Sequence, residues 1–188
     1  ACRGAVPRDG DAVTKAGAQL TMLLLTVVIG AAILAPYVGY QDVLDQSDRG
    51  RDLYCFKKTM DGATVYRDYW WIYGPAMPYY YSLFYRAMGV SVRSVLAGQC
   101  VLLLLCGVLF FLTAALFVSP GCACLASVVF WVYYPDFPHT YVYTGAVACM
   151  LLAHYFLVRY IRRPGLPSLL LCAAAAAAEA MRVTMEGV

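Results

Sequence analysis

Hydrophobic and polar positions separate along this chain into long blocks. No charged residue occurs between Lys15 and Asp42, and none between Arg93 and Asp136. A helix needs about 20 apolar residues to cross the hydrocarbon core of a bilayer. The first block therefore predicts one span, near residues 17–37. The second block is long enough for two. Ser119-Pro120-Gly121 is the natural break, because Pro and Gly interrupt helices. It divides the block into spans near 94–118 and 122–134, the latter short and borrowing aromatic residues that follow it. A fourth span is expected near 140–158. A fifth starts near Leu166 and includes the alanine run 173–178. The predicted class is an all-α polytopic membrane protein with about five transmembrane helices.

Between the first two spans lies a polar interruption, residues 39–90. It carries Asp42, Asp45, Asp48, Asp52, Asp61 and Asp68, and also Arg49, Arg51, Lys57, Lys58, Arg67 and Arg86. Half of residues 66–85 are aromatic. A helix is expected over 51–60, then an Asp61-Gly62 turn, then a second helix over 77–88. The second is too short and too aromatic to span. Tyr and Trp favour the membrane–water boundary, and a helix of this kind lies along the membrane surface.

Composition agrees with this division. The chain is 62% hydrophobic and 13% charged, with mean hydropathy +0.66; soluble domains carry about 25% charged residues. The net charge of +3 is too small and too dispersed to imply nucleic acid. Basic residues serve better as orientation markers, since Lys and Arg concentrate in cytoplasmic loops. Arg159, Arg162 and Arg163 form the strongest basic cluster. Placing it inside makes the 39–90 loop and the short Asp136–His139 loop external. The tail 1–16, with Arg3, Arg8 and Lys15, then falls inside as a cytoplasmic tail, and 17–188 form the membrane part. The chain reads as a piece of a longer protein. Of its eight Cys, most lie in apolar spans, where Cys behaves as a small hydrophobe. Cys122 and Cys124 read as helix packing in preference to a metal site, and no disulfide framework is indicated.

A solvated loop has no need of Trp70, Trp71 and so many Tyr. Aromatic faces beside carboxylates suit carbohydrate, whose ring faces stack while its hydroxyls take hydrogen bonds. For each loop charge the plain alternative is a salt bridge within the loop. For Asp136 and His139 the plain alternative is a cap for the fourth span, and for His154, inside that span, it is packing against a neighbour.

The order of elements carries a resemblance. Asp48, Gly62, Tyr66-Arg67-Asp68, Gly74-Pro75, Met88-Gly89 and Arg93 follow one another as in the N-terminal part of GT-C-type membrane glycosyltransferases. The chain is similar to the dolichyl-phosphate-mannose–protein mannosyltransferase and aminoarabinose transferase group over residues 17–188. The acidic motif of that group is often Asp-Glu. Here the stretch has no Glu, and spacing to Gly62 favours Asp48, then Asp45, then Asp52.

The resemblance implies an inverting glycosyltransferase. It would move a sugar from a polyprenyl-phosphate donor to a glycan, lipid or protein acceptor at the external face of a membrane, by the composition a bacterial inner membrane. A loop Asp, Asp48 or Asp45, would be general base. Arg67, Arg86 and Lys57 are candidates for the departing phosphate. Tyr66, Asp68, Trp70, Trp71, Tyr73, Asp136 and His139 are candidates for substrate contact. No cofactor is required; the loop carboxylates could bind a divalent cation, but no spacing demands one. The alternatives are a transporter or flippase of lipid-linked sugars and a non-catalytic membrane assembly subunit.

Overall fold

The computed structural model describes residues 9–39, 47–133 and 141–183. Among these the protein is helical, with one isolated bridge between Val65 and Tyr69. The helices are α1 (Asp9–Leu34), α2 (Ser47–Met60), α3 (Ala76–Met88), α4 (Val92–Ala114), α5 (Pro120–Tyr133), α6 (Val142–Arg162) and α7 (Leu166–Val183), with a 3-10 turn, Ala35–Gly39, after α1.

Three stretches are long and apolar enough to cross a membrane: Gly17–Val38, Val92–Ala114 and Val142–Arg162. The protein is a membrane protein on that ground. The other two apolar helices are shorter, Pro120–Tyr133 and Leu166–Ala177. α1 begins at Asp9, so helix extends into the stretch read as tail from the sequence.

Local chemistry sets the ends. Ser91 caps α4 by accepting the Ser94 N–H at 3.2 Å. Pro120 opens α5, where its missing N–H costs nothing. α2 ends at a turn in which Gly62 has φ +97°, a conformation open to glycine and costly for other residues.

α4 is the hub. Leu34 at the end of α1 packs with Leu103 and Trp131, while Met22 and Leu23 pack near Phe111 and Ala123. α1 therefore runs antiparallel to α4, and α5 does the same, with Ser127 Oγ donating to Gly107 O at 3.0 Å. α6 runs parallel to α4. Gln99 meets Thr144 near both N-termini, and Arg162 lies 4.6 Å over the Phe117 ring just beyond the end of α4. The α2–α3 loop unit thus sits at one end of the helices, and the Ser119 turn and arginine cluster at the other.

Trp131 fixes the α1–α4–α5 seam. Its indole lies against Gly30 and Gly107, where a Cβ would overlap the ring, and its Nε1–H donates to Leu103 O at 2.8 Å. Between membrane helices small residues permit close approach, which is where packing energy comes from.

Candidate functional site

The loop unit has its own core. Asp52, Cys55, Phe56 and Thr59 recur at helical spacing and form the buried face of α2. Phe56 stacks on Tyr81 of α3, ring centroids 4.6 Å apart, and meets Trp71 edge-on at 6.0 Å. Trp71 is 2% exposed, and its Nε1–H donates to Gly74 O at 3.2 Å. Tyr73 is buried beside it. These two aromatics, expected as substrate contacts, instead brace the loop from within. Trp70 differs: at 73% exposure it presents its face outward.

Asp52 is 0% exposed. Arg51 Nη2 lies 3.2 Å from its Oδ1, and the Arg51 guanidinium lies 5.6 Å over the Tyr73 ring. A buried carboxylate is costly unless paired and hydrogen-bonded, so this arrangement has to be held by its surroundings. Tyr81 supplies much of the wall. Its hydroxyl donates to Gln99 Oε1 at 2.6 Å and lies 3.1 Å from Tyr141 O, while Gln99 Nε2 donates to Thr144 Oγ1 at 2.6 Å. Loop, α4 and α6 are joined by one polar chain. Complete burial pushes the Tyr81 phenol well above its ordinary value, so it stays a neutral donor.

The Tyr66-Arg67-Asp68 motif is a tight turn. Asp68 Oδ2 accepts the Thr64 N–H at 2.7 Å, and the Asp68 N–H returns to Thr64 O at 3.0 Å. Arg67 pairs with Asp68 at 2.9–3.0 Å on the surface. The Arg67 guanidinium, followed by the Thr64 N–H, lowers the Asp68 carboxyl to about 2. Tyr66 adopts φ +67°, rare for a residue with a Cβ, and its hydroxyl donates to Tyr73 O. Strain of this kind concentrates at functional sites. Residues 66–72 line an open cavity of about 450 Å³. A second, of about 450 Å³, lies between the end of α2 and α3, lined by Thr59, Tyr79, Leu83 and Arg86 among others. The Thr59–Tyr69 hydroxyl pair, at 2.6 Å, connects their walls.

The expected phosphate cations are dispersed. Lys57 pairs with Asp61 at 2.6 Å, Arg67 with Asp68, and Arg86 Nη2 donates to Met60 O at 3.3 Å, closing the C-terminus of α2. Asp48 lies in the first turn of α2, one turn before Asp52; its side chain, and Asp45, Asp136 and His139 entirely, lie outside the described residues. His154 is exposed on α6, with Nδ1 2.9 Å from Met150 O. Among the described residues no three His, Cys, Asp or Glu side chains converge.

Spacing to Gly62 places Asp52 third among the acidic candidates, and Tyr81, Gln99 and Thr144 are not among the residues expected at the site. Two signals were available: Asp52 falls on the apolar stripe of α2, and Gln99 and Thr144 are polar residues inside apolar spans.

Comparison of the chain with protein-family models, with curated proteins and with solved structures gives no match.

Proposed function

We propose that the chain is the N-terminal part of a membrane glycosyltransferase that takes a sugar from a polyprenyl-phosphate donor. α5 and α7 complete a five-span arrangement with the three longer helices. The N-terminal tail, the Ser119 turn and the arginine cluster are cytoplasmic, and the loop unit is external. The observation that carries the reading is the Tyr66–Ile72 cavity. It offers an exposed Trp70 face beside the Arg67–Asp68 pair, on the same unit as the acidic start of α2. An aromatic face with polar groups at its edge suits a sugar ring.

The chemistry is a displacement at the anomeric carbon. The bond from that carbon to the lipid phosphate breaks, and a bond to the acceptor oxygen or nitrogen forms. The acceptor proton passes to a carboxylate, with Asp48 or Asp45 as base. The phosphate leaves as an anion, stabilised by a guanidinium from Arg67 or Arg86 or by Lys57. Asp52 is a positioning residue one turn below Asp48.

Membranes carrying the full-length protein, given a labelled sugar on polyprenyl phosphate, should release polyprenyl phosphate and label an acceptor in proportion to protein. Membranes lacking it should not. Equal release from both would overturn the reading.

A further inference from the structure

The end of the molecule opposite the loop carries a second cationic feature. Arg159 and Arg162 are spaced i, i+3 in the last turn of α6, and Arg163 follows as its non-helical C-cap, so the three are grouped at one helix end. All three are exposed, and among the described residues no carboxylate lies within ion-pair distance of them. Contrast the loop, where Lys57 and Arg67 are each ion-paired.

The surroundings are apolar. Ile161, Leu166, Phe117 and Val118 are exposed around the cluster. Arg162 lies 4.6 Å over the Phe117 ring, which ties the end of α6 to the chain leaving α4. Arg159 Nη1 donates to Tyr155 OH at 3.3 Å. The cluster closes a helix long and apolar enough to span a bilayer, so its depth is that of the lipid headgroups. The sidedness rule accounts for basic charge at this end. It does not account for three exposed arginines without a carboxylate partner among the described residues, one of them laid on an exposed aromatic ring.

We propose that this cluster is a binding site for the phosphate of an anionic phospholipid. The guanidiniums engage the headgroup oxygens, and Ile161, Leu166 and Phe117 meet the upper acyl chain. Basic residues grouped at a helix end bind anionic headgroups in this way, and guanidinium suits phosphate better than ammonium does. This site is independent of the sugar-transfer reading.

The full-length protein is extracted from vesicles of phosphatidylcholine alone, or of phosphatidylcholine with phosphatidylglycerol, and its retained lipid is measured by native mass spectrometry. Retained phosphatidylglycerol, enriched over phosphatidylcholine, is expected. The triple variant R159Q/R162Q/R163Q should lose it, with apparent affinity falling roughly fivefold per arginine and on the order of a hundredfold in all. Phe117→Leu, which removes the stacking and keeps the charge, should lower retention less than the triple Gln variant does, and an unchanged thermal midpoint in each variant excludes loss of helix packing. The R159K/R162K/R163K variant should recover part of the binding. Undiminished enrichment in the triple Gln variant, or no enrichment in the native protein, would overturn the site.

Discussion

The Trp131 seam and the loop base hold the protein together by different physics. At the seam, an indole lies against Gly30 and Gly107, and one hydrogen bond to Leu103 O satisfies its only polar atom. At the loop base, Phe56, Trp71, Tyr73 and Tyr81 pack around the Arg51–Asp52 pair, with Gln99 and Thr144 extending the polar chain into α4 and α6. The seam joins three apolar helices, of which α1 and α4 are long enough to cross a membrane. Between helices that span a bilayer there is little hydrophobic drive, and association depends on close fit. The loop base belongs to a segment rich in charged residues, and burial of its aromatic surface drives it. Shape governs the first region, and burial of aromatic surface around a hydrogen-bonded polar chain governs the second.

The largest expected effect lies at the seam. Trp131→Ala empties the contact among three helices and should cost about 3–5 kcal/mol. Gly107→Ala drives a methyl into the indole, with a cost of about 1–3 kcal/mol. Thermal unfolding in detergent measures both. If Gly107→Ala left the midpoint unchanged, the seam would be looser than described.

Tyr81→Phe comes next. It keeps the aromatic stack on Phe56 and strands Gln99 Oε1, so about 1–3 kcal/mol should be lost without cavity formation. A double-mutant cycle with Gln99→Leu should show strong coupling, whereas the same cycle with Trp131→Phe should be additive. Coupling across both would erase the distinction between the regions.

The two regions should also differ in pH response, because the loop unit holds the strongly shifted carboxylate and the buried phenols of α3. Asp68 is held down to about 2, first by Arg67 and then by the Thr64 N–H. Its contribution is present above the ordinary carboxylate value and is lost as pH falls through about 2. Burial raises the Tyr80 and Tyr85 phenols to about 12. Their contribution is complete below 10 and is lost as pH rises through about 12. Near-ultraviolet circular dichroism should therefore hold constant between those limits. A transition near neutrality would point to a group outside this set. Asp68→Asn should remove this acid limb, leaving a variant that lacks the contribution at every pH.

Trp70→Ala should have the smallest effect on stability, within about 0.5 kcal/mol, because the side chain is on the surface. Its effect should appear in saccharide binding, read as loss of ligand-dependent tryptophan fluorescence change.

Much of this architecture was legible in the sequence. Charge-free blocks gave the long helices, because a bilayer demands length and apolarity together, and Pro120 marked the α4–α5 break. α2 starts at Ser47 and not Arg51, since Ser and Asp suit a helix start despite their polarity. The partition of Trp70 from Trp71 was not legible, because an irregular loop has no period to reveal which face turns inward. Nor was the Tyr81–Gln99–Thr144 chain, whose members lie 18 and 45 residues apart and meet only once α4 and α6 run parallel. The spans told where the site unit begins and ends. Among the described carboxylates, the packing singles out Asp52 as buried.

The most direct test is sugar transfer in membranes holding the full-length protein as Asp45→Asn, Asp48→Asn and Asp52→Asn, each checked for native expression and thermal midpoint. The account predicts that Asp48→Asn or Asp45→Asn abolishes transfer with the midpoint unchanged, while Asp52→Asn lowers both. Native transfer by all three variants would contradict it.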